Sequence, residues 1–149
     1  MPTNISAKGV VVSLIASFTY PIGVTLLNFS HDTDPIDVEK VTIGETASEV
    51  NGNLIFWNTS NPSLLSLAVL PGTPEAAILN TLFQINRPKP NSLPITDIIT
   101  IITRFPDFTT NTYKNGFCVA GHPGQSVATQ QNKKTKVFTF SFESQDDLI

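Results

Sequence analysis

The sequence predicts a mainly β protein: an antiparallel β-sandwich or small barrel of about eight strands with one flanking α-helix at about 74–86. Three observations carry this. Phe138, Phe140 and Phe142 alternate with Thr139, Ser141 and Glu143, and a strand sends alternate side chains to opposite faces. Short apolar, β-branched runs recur along the chain, separated by Pro-Ile-Gly, Asn-Gly and Asn-Pro punctuation, as in strands joined by turns. Only the segment opening at Thr73-Pro74-Glu75 has the chemistry of a helix start: a hydroxyl cap, a proline preset for the first turn, and an acid at the positive end of the helix.

Taken in order, Gly9 to Ala16 reads as a buried strand. Val24 to Phe29 reads as its hairpin partner through a turn around Tyr20 to Gly23. Ser30 to Gly52 is acidic and long for a connection; it predicts an excursion from the barrel with a short strand at Lys40 to Ile43. Asn51-Gly52 has the chemistry of a type I′ turn. Asn53 to Asn58 and Ser63 to Leu70 read as strands paired across Asn61-Pro62. In the helix, Ile78, Leu79, Leu82, Phe83 and Ile85 or Asn86 fall along one stripe, and Pro88 and Pro90 stop it. Thr96 to Phe105 reads as the longest strand, with Phe108 to Tyr113 returning antiparallel. A second type I′ turn is expected at Asn115-Gly116, leading into Phe117 to Ala120. Gly121 to Lys133 reads as a polar loop. The phenylalanine strand follows, its three rings expected in the centre of the core, each worth roughly 1.5–3 kcal/mol on burial. Gln145 to Ile149 reads as an exposed tail.

The 149 residues suit one domain, 1–149. Charged residues make up 14%, against about 25% in an average protein, so Ser, Thr, Asn and Gln carry the surface. A surface so poor in charge fits coverage by partners. The net charge of −3 argues against a nucleic-acid clamp, whose footprint is basic. Cys118 is the only cysteine, which excludes an internal disulfide and fits a reducing compartment. No secretory signal is expected in MPTNISAKG, and no apolar run spans a bilayer, so the expectation is synthesis in the cytoplasm without a membrane partner.

Site chemistry is sparse. His31, Asp32, Asp34 and Asp37 are the best metal candidates, but they lack the glycine and terminal glutamate of a calcium loop; a hydrophilic loop with Asp-Pro turn chemistry is the reading preferred. Cys118, His122 and Ser126 have no nucleophile-elbow or protease signature around them. Phosphate-binding glycine motifs are missing too. The expectation is a protein with no cofactor, no metal and no catalytic residue. Lys133, Lys134 and Lys136 form a basic cluster, read as a solvated strand entry or a salt-bridging patch for an acidic loop.

The opening ISAKGVVVSLIAS, the acidic DTDPIDVEKVTIGETA, the central NGNLIFWNTSNPSLLSLAVLPGTPEA and the ending NGFCVAGHPGQSVATQQNKKTKVFTFSFES resemble small tail tube subunits of contractile-tailed phages and related prophages. The resemblance implies a β-sandwich or small barrel whose copies join sheets edge to edge into hexameric rings. Rings stack into a tube inside a contractile sheath; a tape-measure protein fills the lumen before DNA passes through, and a baseplate lies at its end. The place implied is the virion tail. Candidate inter-subunit residues are Asp32, Asp34, Asp37 and Glu39 on the acidic segment, and Lys133, Lys134 and Lys136 opposite them. The acidic segment is expected to reach the next ring and to order on stacking. Two alternatives stand beside this reading: a baseplate or tube-initiator protein of the same fold, and a β-sandwich module binding carbohydrate or a host surface through Trp57.

Overall fold

The computed structural model describes residues 9–27, 29, 35–91, 93, 95–124, 127 and 133–148. Its elements are β1 Val11–Ala16, β2 Tyr20–Leu26, β3 Ile36–Val38, β4 Gly44–Ser48, β5 Leu54–Asn58, β6 Ser63–Val69, α1 Pro74–Asn86, β7 Ile99–Arg104, β8 Thr110–Ala120 and β9 Lys136–Leu148. Seven strands form one antiparallel sheet in the order β2-β1-β7-β8-β9-β6-β3, and β4 and β5 form a separate hairpin. Phe29, beyond β2, bridges Val69 of β6. The sheet therefore curls towards its own far side without closing into a barrel.

Alternation builds the core. Val12, Leu14 and Ala16 of β1 are buried with Ile99 and Ile101 of β7, Leu65, Leu67 and Val69 of β6, and Phe138, Phe140 and Phe142 of β9. β9 sits between β8 and β6, so its three rings occupy the centre, as their spacing predicts. Helix α1 closes the core with Ala76, Leu79 and Leu82, and Phe83 meets Phe138 edge-on at 6.4 Å. Thr73 caps the helix: its hydroxyl accepts from the Ala76 N–H at 3.3 Å and donates to the Leu70 carbonyl at 2.7 Å. Replacing Thr73 by Ala should cost about 1 kcal/mol, read as a lowered urea midpoint with unchanged slope.

Several connections differ from the sequence expectation. The β1–β2 turn lies at 17–19, so β2 starts earlier, at Tyr20. Lys40 to Ile43 is not a strand; the acidic excursion instead carries β3, paired with β6, and β4. β5 pairs with β4, not with β6. The turn at Asn51-Gly52 forms, but only Gly52 has positive φ, at 90°. The Gly52 N–H donates to the Glu49 carbonyl and the Glu49 N–H to the Asn53 carbonyl, a turn followed by a glycine bulge rather than type I′. β7 begins only at Ile99. Asn115-Gly116 is not a turn: Asn115, at φ 55°, bulges within a continuous β8. Residues Gln145 to Leu148 continue β9, which pairs with β8 as far as Thr110 opposite Leu148. Much of the expected loop at 121–133 lies outside the described residues.

Candidate assembly surfaces

The β4–β5 hairpin is the feature that the core does not account for. Neither strand joins the main sheet. Its base is tied by the Thr59 N–H to the Ile43 carbonyl at 3.0 Å, and by the Thr59 hydroxyl and Asn61 amide to the Thr42 carbonyl at 3.1 and 3.0 Å. These bonds let the hairpin leave the body as a unit, an arm. Along β5, Leu54, Ile55, Phe56 and Trp57 are 68, 45, 59 and 44% exposed. A half-buried strand alternates; this one is apolar on both faces with neither covered.

Register separates the two faces. Glu45 pairs with Trp57 and Ala47 with Ile55, and Glu49 stands opposite Asn53. Glu45, Ala47, Glu49, Ile55 and Trp57 therefore share one face. On the other, the Phe56 ring lies over Gly44, where an added Cβ would collide with it. Both faces are exposed, and the one bearing Trp57 and Ile55 is the acidic one.

A second surface lies on β8 and at the start of β9. Gly116 and Cys118 pair with Phe142 and Phe140, which face the core. Phe117 consequently points outward; it is exposed, as is Val119 at the register irregularity between Cys118 and Ala120. At the same strand end the His122 Nδ1 accepts from the Val137 N–H at 3.2 Å, His122 and Lys134 line one small cleft, and exposed Val127 bridges Lys133.

Of the residues singled out from sequence, His31, Asp32, Asp34 and Ser126 lie outside the described residues. Asp37 is exposed on β3 opposite Ser66, and Glu39 is exposed with its N–H on the Leu64 carbonyl. Lys133 and Lys134 are exposed, but Lys136 is only 6% exposed, so the three lysines are not one solvated cluster. Lys136 lines a cleft of about 280 Å³ beside Thr73, Ala76 and Asn80. Burial pushes the Cys118 thiol up to about 11, which keeps it protonated and a poor nucleophile near neutral pH. Among the described residues there is no group of three or more potential metal ligands, and no helix is long and apolar enough to cross a membrane.

Sequence reasoning missed Asp97. It is fully buried before β7 and accepts four hydrogen bonds: from the Phe18 and Thr19 N–H groups at 2.6 and 3.0 Å, the Thr19 hydroxyl at 2.6 Å and the Asn86 amide at 2.8 Å. Asn86 Oδ1 in turn accepts from the Asp97 N–H at 2.7 Å. The available signal was a lone acid inside the apolar run at 95–102.

A sequence model of the family described as tail fiber protein gp32 matches residues 3–146. The chain belongs to the tail fiber protein gp32 family. No curated protein matches it. Among solved structures, this gp32-family chain is similar to one in the anti-feeding prophage baseplate, 6-fold symmetrised, with TM-score 0.64, 12% identity, and 99% of this chain and 97% of that one covered. A chain of an extracellular contractile injection system, described as the PVC sheath/tube terminator in its extended state, gives TM-score 0.55 at 16% identity, with 99% of each covered. A chain of the anti-feeding prophage cap gives 0.51 at 13% identity, with 99% and 93% covered. At these identities the likeness is one of fold. The expected resemblance to a phage-tail protein holds; the narrower reading, tail tube, goes beyond the family match.

Proposed function

We propose that this gp32-family chain is a non-enzymatic structural protein of a contractile tail: a tail tube subunit whose copies join into stacked, hexameric rings around the conduit for phage DNA. The observation that carries this reading is the β4–β5 arm, with four consecutive large apolar side chains exposed on a strand outside the main sheet. Covering each on a neighbour contributes roughly 1.5–3 kcal/mol before the cost of association. An arm that docks on a different patch of the next copy makes a head-to-tail contact, which closes into a ring or runs on as a filament. The fold of the baseplate, terminator and cap chains supports the same reading. In the assembly the sheath surrounds the tube, the tape-measure protein precedes DNA in the lumen, and the baseplate lies at its end. The net charge of −3 suits a wall that DNA passes without adhering. Residence is the virion tail, after synthesis in the host cytoplasm.

Electron microscopy of the purified chain at high concentration tests this. Rings or tubes are expected for the wild type. The Ile55→Ser/Trp57→Ser variant should give dispersed monomers with an unchanged far-UV spectrum. A wild type that stays monomeric at every concentration overturns the reading. The likeness to the baseplate chain favours a second reading, a baseplate or initiator ring of the same fold. Copy number in purified particles separates the two: a tube subunit is among the most abundant virion proteins, an initiator is confined to a single ring.

A further inference from the structure

We infer that the acidic, Trp57-bearing face of the arm docks on the Phe117–Val119 strip of a second copy, with Glu45 and Glu49 meeting Lys133 and Lys134. This rests on the self-assembly just proposed and specifies which surfaces meet. Charge carries the choice of partner. Residues 35–62 hold Asp37, Glu39, Glu45 and Glu49 against Lys40 alone, so the arm is acidic wherever it projects. The matching cations, Lys133 and Lys134, are exposed just before β9; Lys133 is bridged to exposed Val127, and Lys134 shares a small cleft with His122, which follows β8.

Ile55 and Trp57 stand two residues apart on one strand face of the arm, about 7 Å apart. On β8, Phe117 stands opposite Ser141 and points outward, and exposed Val119 lies at the irregularity between Cys118 and Ala120. Charge also selects the face of the arm: Glu45 and Glu49 share it with Ile55 and Trp57, whereas the Leu54 and Phe56 face carries no acid. The two patches are different surfaces, so each copy offers one arm and one receptor, as a ring requires.

Reversing charge tests the pairing. Glu45→Lys/Glu49→Lys in one variant and Lys133→Glu/Lys134→Glu in another alter exposed side chains, and circular dichroism confirms that both fold. Alone, each variant should need at least tenfold more protein than wild type to assemble, by sedimentation and microscopy. An equimolar mixture should assemble again, because each arm then faces a receptor of opposite charge, and the variant carrying all four changes should recover too. Wild-type assembly should weaken with added salt. If wild type assembles and the reversals change nothing, or neither mixture nor combined variant recovers, the pairing is wrong while self-assembly stands. If wild type never assembles, both fall together.

Discussion

Replacing Asp97 by Ala should lower stability by roughly 2–4 kcal/mol. The carboxylate joins three separate pieces of chain: the β1–β2 turn through Phe18 and Thr19, the last turn of α1 through Asn86, and the entry to β7 through its own backbone. Removing it leaves the Phe18 and Thr19 N–H groups without their acceptor and the Asn86 amide with the Leu82 carbonyl alone, in a place where the carboxylate itself is fully buried. For a chain of this length the melting temperature should fall by roughly 5–15 °C. Asn at this position should cost less than Ala, since one oxygen still accepts from the turn while its NH2 faces the donating amide of Asn86. Burial, the largest single influence, acts to raise the Asp97 pKa. The bonds from the Thr19 hydroxyl, the Asn86 amide and the Phe18 and Thr19 N–H groups together outweigh it and hold the carboxyl below its ordinary 3.8. A depressed folded-state pKa means that the contribution is full above the unfolded-state pKa and is lost as pH falls through the folded one. Urea melts of wild type and Asp97→Ala should therefore differ most near neutral pH and converge as acid titrates the carboxyl. An equal gap at pH 7 and in acid would show that charge has no part in the joint.

What the sequence made legible was local or periodic. The phase of Phe138, Phe140 and Phe142 determined which face of β9 is buried, because alternation needs no knowledge of the partner strand. Helix α1 was legible from cap to stop at 74–86, because Thr73, Pro74 and Pro88 act on adjacent backbone. Pairing was not legible. Leu54 to Trp57 has strand chemistry in any setting, and nothing in it says that its partner is 44–48 rather than 63–69. Its apolar character on both faces fits a core or an interface equally, and the fold leaves it outside the main sheet. Asp97 was invisible for a related reason. A lone acid in an apolar run shows its meaning only when residues 78 and 79 positions away return to it. The assembly surfaces were half legible. The acidic and basic groups were identified, but burial removes Lys136 from the basic one, and the outward direction of Phe117 appears only once β8 is seen as a single strand.

The Asn115-Gly116 pair carries the other large prediction. The same two residues that ordinarily make a hairpin turn here make a bulge, because both uses need positive φ at the asparagine. The glycine has a further task. It lies directly opposite Phe142 in the β8–β9 ladder, and the ring folds back over it so closely that an added Cβ would stand 2.9 Å from Phe142 Cγ and nearer still to the adjacent ring carbons. That ring is held from its other sides by Tyr113 at 5.4 Å and Phe140 at 6.3 Å, so it cannot swing away without disturbing the centre of the core. Gly116→Ala should therefore destabilise by about 3 kcal/mol through overpacking, although Ala ordinarily suits a strand no worse than glycine. The cause is testable by a double-mutant cycle. Phe142→Leu alone should cost stability by leaving a gap. In that background, Gly116→Ala should cost much less, because its methyl group enters the space the ring vacated. If the two costs simply add, the ring is not what excludes the methyl group, and the backbone at the Asn115 bulge would have to be the source of the loss.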